Sequence, residues 1–368
     1  MGLTLPDFPW DRLEPYRERA AAHPDGVVDL AVGSPVDPTP ERVRQALAVA
    51  TDAPAYPQTS GTPALRQAIA DWYGRRRGVA LEARNTLPTI GSKELVGLLP
   101  TLLGIGEGDV VVHPTAAYPT YEVGARIARA TPLASDDPDA WPDTTRLVWL
   151  NSPRNPDGQV LGIPFLRRAV QRARELGAVI ANDECYAELN WGSDAPVPSI
   201  LDAEVIGDSR RLVLSVYSLS KQSNLAGYRA AFVAGCGDLI AELLEVRKHA
   251  GLIPPLPVQL AMVAALSPES DADVAAQKER YRARRALLVP ALERAGFRID
   301  ESTAGLYLWA TRGEDSWDTV GWLAGLGIVV APGAFYGAAG RRHIRMALTG
   351  TDERVAAAAR RLSASSNR

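Results

Sequence analysis

With 368 residues the chain exceeds what one simple core accommodates, so two domains, or one large α/β domain with an appendage, are expected. A composition of 46% hydrophobic and 23% charged residues, with a formal net charge of −3, fits a soluble globular protein and gives no electrostatic case for a nucleic-acid or membrane partner. Two cysteines, Cys185 and Cys236, are too few for a disulfide framework and lie in no CxxC or His-rich metal pattern, so a reducing, cytoplasmic location and no metal are expected.

The segment Met1 to Trp10 interleaves Pro6, Asp7 and Pro9 with apolar residues and lacks the basic start and apolar run of a signal peptide. Residues 1–40 read as a proline-rich arm that packs on a smaller C-terminal domain. The longest apolar stretch, Leu95 to Ile105, is broken by Gly97, Pro100 and Gly104 and falls short of the ~20 residues a membrane span needs.

Residues 41–270 alternate helical patterns with short apolar runs, which predicts a large α/β domain whose mostly parallel sheet is flanked by helices. Arg146 to Asn151, Ala178 to Asp183, Leu212 to Ser218 and Arg229 to Ala234 are the buried-strand candidates. Asn155, Asp183, Ser218 and Lys221 cluster at or just after these runs, and ligands of open α/β sheets bind at the C-terminal strand ends. Residues 271–368 predict a smaller α+β domain: a long helix from Val274 to Ala295, strands at Leu306 to Ala310 and His343 to Leu348, and a last helix from Asp352 to Leu362.

The segment Ser218-Leu-Ser-Lys221, followed by Gly227-Tyr-Arg229, sets a lysine at a strand end with hydroxyls before it and a guanidinium after it. A lysine amine becomes a covalent catalyst when a partly desolvated, cationic site lowers its pKa, and the hydroxyls and guanidinium suit a phosphate. Upstream, Asn151-Ser-Pro-Arg-Asn155-Pro-Asp-Gly158 is by itself a turn, and Asp183 of Asp183-Glu-Cys-Tyr186 is by itself a helix cap.

Together the three segments resemble the class I and II aminotransferases, whose members carry N-x-P-x-N-P-x-G, then D-E-x-Y, then S-x-S-K with G-x-R behind. The resemblance extends over almost the whole chain and implies the fold and cofactor of pyridoxal 5′-phosphate (PLP) enzymes. It implies that Lys221 holds the cofactor covalently and shuttles the proton between Cα and C4′, that Asp183 pairs with the pyridinium nitrogen, and that Tyr186 and Asn155 bond the ring's 3-hydroxyl oxygen. By the same resemblance the backbone of Ser92 and Lys93, at the start of a helix from Glu94, joins the Ser218 hydroxyl and Arg229 in a phosphate cup. Tyr118 would stack on the ring, Tyr56 would reach the phosphate of the partner in a homodimer, Arg345 would grip the substrate carboxylate, and Gly33 would let backbone approach that carboxylate.

The N-terminal FPWD, Val32-Gly-Ser-Pro-Val-Asp37, Gly91-Ser-Lys-Glu94, Arg247-Lys-His-Ala250 and Ala304-Gly-Leu-Tyr-Leu-Trp309 look like the actinobacterial N-succinyldiaminopimelate aminotransferases. That likeness implies amino exchange between glutamate and N-succinyl-2-amino-6-oxopimelate in lysine and diaminopimelate biosynthesis. The alternatives are an aminotransferase for another amino acid, such as aspartate or an aromatic one, and a PLP lyase of the same fold. For the far carboxylates of the succinylated substrate the candidates are Arg247, Lys248 and His249 or the backbone around Ser34, although the basic run equally reads as a helix end.

Overall fold

The computed structural model describes residues 5–193 and 195–365, so the first four residues of the arm lie outside the described residues. A short strand, β1 (Val28–Asp29), is followed by β2 (Thr86–Ile90), β3 (Val110–His113), β4 (Thr131–Ala134), β5 (Thr145–Asn151), β6 (Val179–Asp183), β7 (Val213–Ser218) and β8 (Ala230–Gly235). The last seven form one sheet in the order β2-β8-β7-β6-β5-β3-β4. β8 runs antiparallel to both neighbours and every other pair is parallel, so the sheet is mostly parallel as expected.

The four apolar runs of the sequence are β5 to β8, each within one residue of its expected ends. They read as continuous apolar runs because parallel strands are covered on both faces. Alternate residues serve opposite layers. In β5, Val148 and Leu150 pack toward Leu166, Ala169 and Val170 of the helix Ile163–Leu176. Leu147 and Trp149 pack the other way, toward Leu95 and Leu99 of the helix Ser92–Leu102 and Leu239 and Leu243 of the helix Gly237–Ala250. The helix Ile163–Leu176 has a proline in its first turn and ends at Gly177 with φ 65°, a conformation that glycine adopts without Cβ strain.

Beyond residue 270 come β9 (Arg298–Asp300), β10 (Tyr307–Thr311), β11 (Ile328–Val329), β12 (Ala331–Pro332) and β13 (Ile344–Ala347). β12-β13-β10-β9 make an antiparallel sheet, and β1 pairs in parallel with β11. The long helix spans Asp271–Arg294 and starts three residues before Val274, because Asp271 and Asp273 occupy its polar, dipole-favoured first turn. Its Arg284, with a side chain 2% exposed, bonds Asp37 of the N-terminal segment at 2.6 Å and Asp352 of the last helix at 2.7 Å. Leu13, Leu30, Tyr281, Leu306 and Val355 share one apolar cluster, so the N-terminal segment is built into the same core as β10 and the last helix. Among the described residues no helix is long and apolar enough to cross a membrane.

A cleft of about 1020 Å³ opens where the C-terminal ends of β5, β6 and β7 face β10 and β13. Its lining draws on the N-terminal segment, both sheets and the start of the helix Ser92–Leu102.

Candidate active site

Lys221 leaves β7 in the short helix Leu219–Gln222 and lines the cleft. Its Nζ donates to the carbonyl of Gly33. Burial pulls the amine's pKa below its ordinary value, and the Arg345 and Arg229 charges pull the same way, which favours the neutral, nucleophilic form.

Asp183 ends β6 with its carboxylate in the cleft. Oδ1 accepts the backbone N–H of Cys185 at 3.1 Å, and Oδ2 accepts the Tyr121 hydroxyl at 3.0 Å. Asn151 Nδ2 holds the Asp183 carbonyl at 2.8 Å, so β5 and β6 fix this strand end jointly. Burial pushes the carboxyl pKa up, a cost that a cationic partner facing the carboxylate offsets. Tyr186 also lines the cleft, with its hydroxyl 3.2 Å from that of Tyr307. Tyr118 is half-buried in the cleft wall and meets Tyr121 edge-on at 6.0 Å between centroids.

Around the start of the helix Ser92–Leu102 the cleft has an anion-binding pole. The cap is Gly91, at φ 75° and with no side chain to bond the first turn. Ser92 is therefore the first helical residue, and the backbone N–H groups of Ser92 and Lys93 belong to the unsatisfied first turn. A Cβ on Gly91 would overlap the Arg229 guanidinium, so glycine here lets the guanidinium lie against the helix start. Arg229 pairs with no carboxylate among the described residues; its one internal bond is to the carbonyl of Ala226, at 2.8 Å. The Ser218 hydroxyl donates to Ser220 Oγ at 2.8 Å, and both serines line the cleft.

Opposite this pole, Arg345 projects from β13 and is 3% exposed. It donates to Asn155 Oδ1 at 2.9 Å and to the carbonyl of Ala31 at 2.8 Å, while its Nε has no partner among the described residues. Its guanidinium carbon lies 3.8 Å from the ring centroid of Tyr307 and 4.8 Å from that of Tyr336. A buried guanidinium with no anionic partner and one orphaned N–H among the described residues has the chemistry to receive a carboxylate. Asn155 is set beside it by its own N–H, which donates to Asn151 Oδ1 at 2.7 Å.

The model of the family described as aminotransferase class I and II matches residues 25–362. The chain belongs to this family. A 4-dedimethylamino-4-oxo-anhydrotetracycline transaminase of Streptomyces rimosus is 56% identical over 359 residues, 97% of this chain and 99% of its own. A Mycobacterium tuberculosis protein named "Probable aminotransferase Rv1178" is 53% identical, across 98% of this chain and 86% of its own. The solved structure of a Thermus thermophilus protein, named "probable N-succinyldiaminopimelate aminotransferase", superposes with a TM-score of 0.86 at 29% identity over 97% of this chain and all of that one.

The cofactor of this aminotransferase is pyridoxal 5′-phosphate. The cleft fits it on three counts: a pole of free N–H groups and a guanidinium for the phosphate, a buried amine for the aldehyde, and a buried carboxylate for the protonated ring nitrogen.

Sequence reasoning passed over Tyr121 and Tyr307. Tyr121 lies in the first turn of the helix Thr120–Ile127, three residues after Tyr118, which precedes the helix cap Pro119, and the closeness of the two tyrosines in the chain was a usable signal. No local pattern marks Tyr307, whose neighbours all come from elsewhere in the chain.

Gly33 lines the cleft, and the space a Cβ on it would fill is taken by the Tyr307 phenol. One expectation is corrected. Arg247 was a candidate for the distal carboxylates, yet its side chain is 0% exposed and grips Glu94 with two bonds, Nη1 to Oε1 at 2.8 Å and Nη2 to Oε2 at 3.1 Å. Lys248 is exposed and paired with Glu245, and neither it, His249 nor Ser34 lines the cleft. A helix end attracts cations whatever their function, and here that attraction and Glu94 account for the run. Lys93 does line the cleft, its Nζ 5.5 Å from the Phe8 ring centroid and unpaired with any carboxylate among the described residues, whereas Arg17, also in the lining, is paired with Asp29. Tyr56 is 97% exposed and does not line this chain's own cleft.

Proposed function

We propose that this aminotransferase exchanges an amino group between glutamate and N-succinyl-2-amino-6-oxopimelate, giving N-succinyl-LL-diaminopimelate for lysine and diaminopimelate biosynthesis by a ping-pong route. The observation that carries the reading is the spread of cations along one cleft without carboxylate partners among the described residues: Arg229 at the phosphate pole, Arg345 at the substrate head, and Lys93 toward the outer wall. A substrate with an amino-acid head and further carboxylates several bonds away matches that order, and the roughly 1020 Å³ of the cleft leaves room for both it and the cofactor. The Thermus thermophilus neighbour supports the same substrate by its name.

In this reading the bound cofactor supplies a ring that accepts the electron pair released when the substrate Cα–H bond breaks. Lys221 Nζ removes the Cα proton, for which its lowered pKa suits it. Asp183 keeps a proton on the ring nitrogen, and Tyr121 holds the carboxylate in line. Tyr186 and Asn155 bond the ring's 3-hydroxyl oxygen, Tyr118 covers the ring face, and Ser92, Lys93, Ser218 and Arg229 hold the phosphate. Arg345 clamps the α-carboxylate with two N–H groups, with Asn155 beside it and Gly33 in the same wall. We also propose a cytoplasmic homodimer in which Tyr56 serves the partner's phosphate, and a division of the chain into an arm (1–40), a cofactor-binding domain (41–270) and a small domain (271–368).

One observation favours a second reading. The outer wall contributed by Leu5, Phe8 and Trp10 is apolar, and the 56% identical relative is named for an oxo-tetracycline, a bulky ring system. The test is kcat/KM for N-succinyl-LL-diaminopimelate beside aspartate, aromatic and branched-chain amino acids and a polycyclic amine, with 2-oxoglutarate as acceptor. A preference for the succinylated substrate of a hundredfold or so, about 2.7 kcal/mol, is expected. A preference for any competitor overturns the substrate assignment.

A further inference from the structure

Tyr307 stands where three parts of the site meet, although nothing in the reading above gives it a task. It projects from β10 and is 5% exposed. Its ring lies under the Arg345 guanidinium, 3.8 Å from centroid to guanidinium carbon. Its hydroxyl is 3.2 Å from that of Tyr186, with the two rings at 68°. The same hydroxyl occupies the volume that any side chain at residue 33 would need, and the carbonyl of Gly33 accepts from Lys221 Nζ. An aromatic ring serving only to fill the core would need neither a hydroxyl nor a glycine opposite it.

We propose that Tyr307 is a positioning residue of the reaction centre, whose phenol O–H donates to the Tyr186 oxygen and thereby points the Tyr186 proton at the cofactor's ring oxygen. Two facing phenols share a single hydrogen bond, and the more acidic one donates. Burial by itself raises Tyr307, but the Arg345 guanidinium and the Lys221 amine bring it below the ordinary phenol value. Tyr186 is pushed well above that value, by burial first and then by Tyr307. A phenol whose oxygen already accepts a bond is the better donor through its own hydrogen, as in any hydrogen-bonded chain. Tyr307 thus strengthens the contact Tyr186 makes with the ring oxygen, while its ring keeps Arg345 in place for the carboxylate.

The inference rests on the proposed role of Tyr186, and its test separates the two. The visible absorbance of the protein with PLP attached changes with pH as the linkage nitrogen gains or loses its proton. Negative charge on the ring oxygen holds that proton, and a donor to the oxygen loosens it. Tyr307→Phe keeps the ring and removes only the bond to Tyr186, which still donates to the ring oxygen, so the absorbance midpoint should rise by about 0.1–0.3 unit, a fraction of the roughly half to one unit that Tyr186→Phe should produce by losing the donor itself. Because the Arg345 stack survives, kcat should fall several-fold while KM for the amino acid moves less than about twofold.

Tyr336→Phe, altering the other ring beside Arg345, whose hydroxyl has no partner among the described residues, should leave the midpoint in place. Starting from Tyr186→Phe, adding Tyr307→Phe should produce no further shift, since the relay already lacks its last member. An unmoved midpoint in Tyr307→Phe, an equal shift in Tyr336→Phe, or additive shifts in the double variant overturns the inference. A Tyr186→Phe variant with the midpoint of the unsubstituted enzyme instead overturns the role of Tyr186 underneath it.

Discussion

Replacing Arg247 with methionine tests how the phosphate pole is kept free of its own carboxylate. Glu94 sits in the first turn of the helix whose N–H groups face the cleft, and Arg247 neutralises it from the helix Gly237–Ala250. With Arg247 0% and Glu94 15% exposed, the pair is largely desolvated, and removing one member of such a pair costs about 3–5 kcal/mol. The lower end applies, because Glu94 keeps a bond from the N–H of Ile90 at 3.2 Å and some water. A second cost falls on the cofactor. An uncompensated negative charge in the first turn of the helix that faces the pole would repel a bound phosphate, by about 2 kcal/mol if two unit charges stand roughly 8 Å apart at an effective dielectric constant of about 20. Urea unfolding of the cofactor-free protein reads the first cost, and PLP titration followed by absorbance reads the second as a Kd raised a few tens of fold. Adding Glu94→Gln should restore most of both, since the charge is then gone. A stability loss under about 1 kcal/mol for Arg247→Met, or a double variant as unstable as the single one, would refute the reasoning.

Lys221→Ala should abolish transamination while still binding PLP noncovalently, and borohydride reduction of the unsubstituted enzyme should place the phosphopyridoxyl group on Lys221; finding it on Lys93 or Lys248 would reverse the assignment. Asp183→Asn should retain cofactor yet slow the half-reactions by roughly a hundredfold or more, the scale of losing one preorganised charge contact, and near-normal single-turnover rates would contradict the ring-nitrogen role. Mixing inactive Tyr56→Asp with inactive Lys221→Ala should restore activity in heterodimers, where one of the two sites carries neither lesion; a fully active monomer by sedimentation would rule this out. Asp37, hydrogen-bonded by Arg284 and Gln277, has its carboxyl pKa held below the ordinary 3.8 despite burial, so its contribution is full above that value and fades as pH falls through the lowered one. Asp37→Asn should therefore cost about 1–3 kcal/mol in urea unfolding at pH 7, and the difference from the unsubstituted protein should shrink below pH 4.

The strands and the cleft-lining motifs were legible because their signals are local. β5 to β8 announce themselves as branched apolar runs, since a strand covered on both faces has no polar side to show. Asp183 announces itself by ending such a run, and Lys221 and Asn155 by following one within four residues, where the sheet delivers side chains to a cleft. Tertiary structure alone decided what surrounds them. Arg247 read as a free cation because its partner Glu94 is 153 residues away, and the pairing exists only once two helices pack on one face of the sheet. Tyr307 was silent for the same reason: its significance lies in Tyr186, Gly33 and Arg345, brought to it from three other segments. Backbone periodicity and strand-end chemistry are properties of neighbouring residues, whereas charge compensation and hydroxyl pairing depend on distances that chain order does not encode.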